Sequence, residues 1–404
     1  MAAMVFLTIG TGYVQAQDKT SDSASELPKV YLIKEITPEN LVKIYEALGR
    51  KAEGKVAVKL STGEPGGHNF LQPTLIAPLV RKMNGTIVEC NTAYGGERAN
   101  TEAHLKAAAD HGFTAIAKVD IMDADGEVSL PVKGGKHLKE DFVGKNYLNY
   151  DFTVVLSHFK GHAMGGFGGA IKNISIGIAS SGGKAWIHSA GTTKDVSKVW
   201  GNLPEQDNFL ESMAEAAKAV TDHCGDKILY ISVANNLSVD CDCDSSPEDP
   251  RMGDIGILAS LDPVALDRAC TDLVRSSEDH GKIHLIERID SRHGMHTLDY
   301  AEQLGMGSQK YELVELNRLF GMLAMAVLPR HLSQIRSVGC GCRVCGFAFQ
   351  ESFARTAPWG RLGLSACRDA GRMGDERRFL ACRTGFPDWY SGHAASDIRE
   401  LAIH

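Results

Sequence analysis

The sequence predicts an α/β protein, a largely parallel sheet covered by helices, built as one unit or as two lobes with the site between them. Two observations predict it. From Lys29 to Asn317, short β-rich apolar runs alternate with segments of helical periodicity, the order produced by strands of a parallel sheet and the helices that cover them. That stretch of about 290 residues suffices for one large core or two modest ones. It contains no internal repeat.

Taken in order, residues 1–17, MAAMVFLTIGTGYVQAQ, form an apolar run that ends in the small-x-small pattern Val14-Gln15-Ala16. This is the pattern of a secretory signal peptide and is too short for a membrane span. An exported, periplasmic protein is therefore expected, with residues 18–28 as a polar spacer. No Lys or Arg precedes the apolar run, so a buried N-terminal segment of a cytoplasmic protein is the competing reading. Nothing later in the chain has 18 consecutive apolar residues, so no membrane span is expected in the mature protein.

Strands are expected at Lys29 to Ile33, Lys55 to Leu60, Thr86 to Cys90, Thr114 to Val119, Phe152 to Leu156, Lys227 to Val233 and Tyr311 to Leu316. Each is short, apolar and free of a 3.6-residue period. Helices are expected at Glu39 to Leu48, Pro73 to Met83, Thr101 to His111, Glu205 to Asp222, Pro263 to Arg275 and Thr297 to Leu304. Asp262 before Pro263 reads as an N-cap followed by a first-turn proline, and Gly305 as a C-terminal stop.

The stretch from Asp151 to His188 organises the rest. Its strand, Phe152 to Leu156, is followed at once by His158, Lys160 and His162, then by Gly165, Gly166, Gly168 and Gly169, then by Lys172, Asn173, Lys184 and His188. Glycines permit close backbone approach, so this loop is expected to wrap a ligand with its N–H groups while the histidines and lysines face it. It matches neither G-x-x-x-x-G-K-[ST] nor G-x-G-x-x-G, so it is not a known phosphate cradle.

In open parallel sheets ligands bind beyond the carboxyl ends of strands. The loop after Leu60 offers Glu64 and His68, and the loop after Cys90 offers Asn91, Tyr94, Arg98 and His104. If the sheet is parallel, these loops and the glycine loop converge on one rim. A second cluster, Ser238 to Asp254, alternates Asp240, Cys241, Asp242, Cys243 and Asp244 just after a strand. Two cysteines one residue apart are poorly placed for a mutual disulfide, whereas both thiolates can reach one soft metal. A polar loop with two free cysteines is the competing reading. Asp254, His293 and His296 are second-tier candidates.

The chain carries a net charge of −7. With no basic, aromatic-rich stripe in its body, a nucleic-acid partner is not expected. Beyond Asn317 the composition changes: all 23 lysines lie at or before residue 310, whereas 12 of the 20 arginines and five of the ten cysteines lie after it. Residues 318–404 therefore read as a foreign, frameshift-derived or disordered tail. The alternative is a small metal-binding appendage around Cys340, Cys342, Cys345 and Cys367.

The segments KLSTGEPGGHNFLQP, NTAYGGERANTEAHLKAAADHGF, VVLSHFKGHAMGGFGGAIKNISIGIAS, GGKAWIHS, CDC, DIGILASLDPVALDRA and RHGMHTLDYAEQLGMGSQKYELVEL resemble those of the bacterial and archaeal proteins grouped as domain of unknown function 362. These are often labelled iron–sulfur cluster-binding proteins. The resemblance spans Lys29 to Asn317. Many relatives carry a ferredoxin-like insertion after the segment matching Gly183 to His188, but Ser189 to Asp222 contains no cysteine. Cys241 and Cys243 thus remain as the family-matching thiols. The run from His162 to Lys172 is also similar to the histidine, glycine and lysine segment of the nickel-pincer lactate racemase family, which implies that His162 contacts cofactor or substrate and Lys172 anchors an anionic group.

These readings define the expected site. A metal ion or iron–sulfur centre is expected at Cys241, Cys243, His158, His162 and Asp240, iron or zinc being favoured and a nickel cofactor the alternative. Lys160, Lys172, Lys184, Arg98, Asn91, Asn173 and the glycines Gly165, Gly166, Gly168 and Gly169 would bind cofactor or a small anionic ligand. His158, His162 and Glu64 would move protons. The expected chemistry is redox or proton transfer, with a redox partner if electrons are carried. A racemase-like enzyme and a non-catalytic periplasmic binder are the alternatives.

Overall fold

The computed structural model describes residues 26–316 of the 404-residue chain. The expected signal peptide, most of the spacer and the tail at 318–404 lie outside the described residues. The described chain begins with β1 (Lys29–Ile33), α1 (Pro38–Ala47), β2 (Val56–Lys59), α2 (Pro73–Lys82), β3 (Thr86–Glu89), α3 (Thr101–Asp110) and β4 (Val119–Ile121). An antiparallel pair, β5 (Glu127–Pro131) and β6 (Glu140–Gly144), follows. Next come β7 (Phe152–His158), the hairpin β8 (Lys160–His162) and β9 (Gly166–Gly168), and the helices α4 (Ala170–Ser175), α5 (Ser181–His188) and α6 (Gln206–Cys224). The described chain closes with β10 (Ile228–Ala234), β11 (Gly256–Ser260), α7 (Pro263–Ser276), α8 (Lys282–Ser291), α9 (His296–Gln303) and β12 (Glu312–Glu315).

Eight strands form one sheet in the order β12-β1-β11-β10-β7-β2-β3-β4. All neighbours are parallel except β11, which runs against both β1 and β10. The largely parallel expectation therefore holds, and the described residues build on this one sheet rather than on two lobes. Alternation sends successive side chains to opposite faces. On β7, Val154 and Leu156 join the core under α1, α2 and α3, while Val155 joins the core under α4 to α9. Both faces are covered, which is why β7 and β10 are buried throughout and read as continuous apolar runs.

Local signals account for most boundaries. Asp262 caps α7, its Oδ1 accepting from Val264 N and Ala265 N at 2.9 Å each, with Pro263 in the first turn. Gly305 follows α9 with φ +71, the left-handed geometry glycine adopts at a helix end. Thr114 to Val119 departs from expectation: Phe113–Ala115 is a 3-10 turn, and the edge strand β4 starts only at Val119. Gly112, at φ +88, follows the end of α3 and Phe113 enters the core, while Thr114 and Ala115 are exposed in the turn and Ile116 and Ala117 pack only partly against the core. The short helices α4 and α5 were hidden by their glycines and by having too few turns to show a period. Strand β11 lay in an apolar run too short to distinguish from other buried segments.

Candidate functional site

The carboxyl ends of β3, β2, β7 and β10 are neighbours, so the loops after them meet at one rim, as the parallel expectation required. There they enclose a cavity of about 120 Å³. His158 ends β7, Lys160 and His162 sit on β8, and Lys172 and Asn173 project from α4. Lys184 and His188 reach the wall from α5, and Cys241, Asp242 and Cys243 come from the loop after β10.

The cysteine loop is docked by backbone contacts. Gly161 N donates to Ser238 O at 2.8 Å and Glu64 N donates to Asp242 O at 2.7 Å. A Cβ at Gly161 would lie 2.3 Å from Val239 O, so glycine is what lets the loop lie against β8. Within the loop, Asp242 turns inward. Its Oδ1 lies 2.9 Å from His158 Nδ1, and its Oδ2 makes an ion pair with Lys160 Nζ at 2.6 Å. Burial alone would raise the Asp242 pKa, but His158 and Lys160 more than offset it and hold the carboxyl below its usual range. His158 Nε2 donates to Asn235 O at 2.6 Å. Both ring nitrogens are therefore engaged within the protein, which corrects the expectation of His158 as a metal ligand or mobile base.

Asp240 is also corrected as a ligand. Its carboxylate accepts from Glu248 N at 3.1 Å and pairs with Arg288 at 3.5 Å, and it lies outside the cavity wall. The alternating Asp-Cys sequence could not show which carboxylate would face inward.

Cys241 and Cys243 are joined by a disulfide, with Cα atoms 5.2 Å apart, inside the usual range. The expectation that this spacing disfavours a mutual disulfide is thereby overturned, because the turn at Asp242 brings both Cβ atoms to one side. A His162 ring nitrogen and the two sulfurs lie within 4.8 Å of one another. His162 Nδ1 accepts from Gly165 N at 2.8 Å and Met164 N at 3.2 Å.

Of the four glycines expected around a ligand, Gly168 and Gly169 line the cavity. Gly166–Gly168 is a strand paired with Lys160–His162. Gly165 and Gly166 lie off the cavity wall, Gly166 packing at φ +79 against Gly294. The first amides of α4 are taken by the buried carboxylate of Asp267, which accepts from Ala170 N at 2.7 Å and Ile171 N at 2.9 Å. A Cβ on Gly169 would lie 2.3 Å from Asp267 Oδ1, so this glycine makes room for a cap. Burial pushes the Asp267 carboxyl up to about 7.

Arg98 lines the cavity but is engaged from behind. Its Nε donates to Glu64 Oε2 at 2.8 Å and its Nη1 to Glu89 Oε2 at 3.1 Å. Glu64 also accepts from Glu97 N at 2.6 Å and Tyr94 at 3.2 Å, and it stands off the wall. This is a buried charge cluster rather than a free base. Asn91 bonds Thr101 at 3.0 Å and His104 at 3.3 Å, and His104 bonds Glu89 at 3.0 Å. Asn91 and His104 thus brace the rim from outside the cavity, behind Glu89 in its wall. Asn173 ties strand ends together through Lys59 O at 3.2 Å and Ser157 Oγ at 3.1 Å. His68, His293 and His296 pair with Asp249, Asp207 and Glu211, away from the cavity, and Asp254 accepts from Asn236 N.

Four lysines face the cavity. Lys59 was missed by the sequence reading although its signal was present, a lysine inside the apolar strand KVAVKL. It donates to Leu60 O at 2.5 Å and Asn173 Oδ1 at 3.1 Å, and burial pushes its pKa down to about 8. Lys184 donates to Ala179 O at 2.6 Å. Burial lowers the Lys160 pKa despite Asp242. Lys172, largely buried, is pushed down to about 7 by desolvation and by Lys160, and among the described residues its ammonium has no ion-pair partner. Against these lysines and Arg98, the wall sets only Glu89 and Asp242. His188, named in the sequence stretch but given no role, packs against Trp200 and Phe209. Its Nδ1 donates to Lys184 O at 2.7 Å, and burial lowers its pKa to about 4. The ring is thus neutral, with Nε2 as its acceptor atom.

Fold and cavity define an α/β protein with a cationic pocket at the carboxyl rim of a parallel sheet. Residues 56–272 match the family described as a domain of unknown function, DUF362, and the chain belongs to it. Among solved structures, the chain is similar to the lactate racemase apoprotein from Thermoanaerobacterium thermosaccharolyticum, with 16% identity and a TM-score of 0.32 over 52% of this chain and 50% of that one. A structural-genomics protein from Thermotoga maritima is similar at 14% identity and a TM-score of 0.31, over 59% of this chain and 58% of that one. The chain thus spans little more than half the length of these structures. No curated protein matches.

Proposed function

We propose that this protein binds a small anion in the cationic cavity and performs proton-transfer or redox chemistry on it beside a metal held by the cysteine loop. The observation that carries this reading is the convergence of four lysines and Arg98 on one cavity with only two opposing carboxylates. About 120 Å³ far exceeds the roughly 10–15 Å³ that a single water needs, so the space suits a ligand of several non-hydrogen atoms. Lys172 and Lys160 would hold a carboxylate or phosphate of the substrate. His188 Nε2, the acceptor atom of a neutral ring, would accept a proton.

Two thiolates and an imidazole make a soft donor set that fits zinc, iron or nickel. The fit holds for the reduced pair, with Cys241, Cys243 and His162 as ligands. Such an ion would polarise a substrate oxygen or exchange electrons with a partner protein. The fit to an iron–sulfur cluster is poorer, since four thiolates are the usual set. The other thiol at the wall, Cys90, donates to Ile178 O and is pushed up to about 12 by burial. The racemase-like alternative uses His162 and Lys172, both at the cavity. A periplasmic binder without turnover is a second reading, favoured by the disulfide, which removes the thiolates. A disulfide in the body of the fold also supports export, because such bonds persist in oxidising compartments. Cell fractionation tests the export.

The test is calorimetric titration of full-length protein with small hydroxy-, oxo- and phospho-carboxylates, followed by turnover assays on those that bind and by metal analysis. At least one class is expected to bind, at least tenfold more weakly in Lys172→Ala. A panel without binding, or affinity unchanged in Lys172→Ala, would remove the anion reading. Binding with no turnover at any metal loading would favour the binder.

A further inference from the structure

We propose that Cys241 and Cys243 form a reversible dithiol–disulfide couple that decides whether this cavity can hold a metal. The proposal rests on the metal reading above and supplies its control. The bonded pair stands in the cavity wall, so it can be reached from the ligand side. Cys243 is the more exposed partner and Cys241 the buried one. Cys243 N points at Cys241 Sγ, 3.3 Å away. A backbone donor aimed at a sulfur favours that sulfur as an anion, as does the cationic wall.

The two ends of the bond are therefore unequal. An incoming thiolate attacks Cys243 Sγ, the Cys241–Cys243 bond breaks, and Cys241 leaves as a thiolate held by the Cys243 amide. If the reductant is a dithiol, its second thiol then attacks the mixed disulfide and releases Cys243. The dithiol loses two electrons and two protons and becomes a disulfide, and the pair gains both. The reverse exchange restores the bond. The loop need not unfold meanwhile, because Ser238 O is held by Gly161, Asp242 O by Glu64 and the Asp242 carboxylate by His158 and Lys160. In the bonded state neither sulfur is a thiolate. Both sulfurs already stand within 4.8 Å of a His162 nitrogen, so that reduction would complete a three-ligand set.

The test uses the full-length protein treated either with dithiothreitol or with diamide, then freed of reagent without oxygen. Half of each sample is denatured, alkylated with N-ethylmaleimide and mapped by peptide mass. The other half is titrated with zinc against a chromophoric chelator, in parallel with Cys241→Ser/Cys243→Ser protein, which reports zinc bound elsewhere. We expect both cysteines to be alkylated only after reduction. We also expect the reduced protein to take up one more zinc per chain than the double-serine protein, at least tenfold more tightly than the oxidised protein does. Full alkylation after diamide, or equal zinc affinity in the two states, would overturn the proposal. Reversible alkylation with no extra zinc in either state would overturn the metal reading, and the gating with it, while leaving the couple.

Discussion

Lys172 and Asp242 show how burial and pairing set the charge of this cavity. In the fold Lys172 gives up its proton near pH 7, but in the unfolded chain it does so near 10.5. Between those values the unfolded state binds more protons, so the cost of burying this amine is full below pH 7 and fades as pH rises. Anion binding runs the other way, because it needs the charged ammonium. Affinity for the anion is expected to fall up to tenfold per pH unit above about 7, and Lys172→Met should remove that break. An unchanged pH profile in Lys172→Met would show that another group carries the anion. Asp242 is the reciprocal case. Removing one member of a buried ion pair strands the other, at a cost of about 3–5 kcal/mol. Asp242→Asn should lose stability of that order in urea denaturation, and a loss below about 1 kcal/mol would mean that Lys160 is not held by this carboxylate.

At the scale of elements, the cavity depends on two close approaches. The hairpin of β8 and β9 admits the cysteine loop only because Gly161 has no side chain, the nearest backbone oxygen standing 2.3 Å from where a Cβ would be. Gly161→Ala should therefore destabilise the fold by about 1–3 kcal/mol and, in the reduced native protein, make Cys241 and Cys243 react faster with N-ethylmaleimide. Wild-type reactivity in Gly161→Ala would contradict the docking. The junction of α7 with α4 works similarly, with Asp267 capping the amides beneath Lys172 and Asn173. Much of this level was visible in the sequence: Asp262, Pro263 and Gly305 marked their helix ends, and six of the seven expected strands formed. The glycines after His162 misled because a run of glycines signals close approach without saying what approaches. Here it is the Asp267 carboxylate and the backbone at Gly294.

At the scale of the whole molecule, the described residues 26–316 build the eight-stranded sheet and line the cavity. A chain ending at residue 318 is expected to melt within a few degrees of the full-length protein and to bind the same anion. Precipitation, or loss of metal on truncation, would show that residues 319–404 contribute to the body. The sequence by itself determined the α/β class, the parallel rim and the gathering of loops after β2, β3, β7 and β10. Those properties follow from hydrophobic periodicity and strand order, which are local. It also marked His162, Lys160, Lys172 and the two cysteines, because histidines, lysines and thiols beside a strand end are unusual in themselves. Only the tertiary structure decided that Asp242 rather than Asp240 turns inward, that His158, Arg98 and Glu64 are bound up in internal pairs, that Lys59 faces the cavity, and that the two sulfurs meet. Whether a polar side chain is free or engaged depends on what the fold sets opposite it, and those partners lie as many as 114 residues away in sequence, beyond any local pattern.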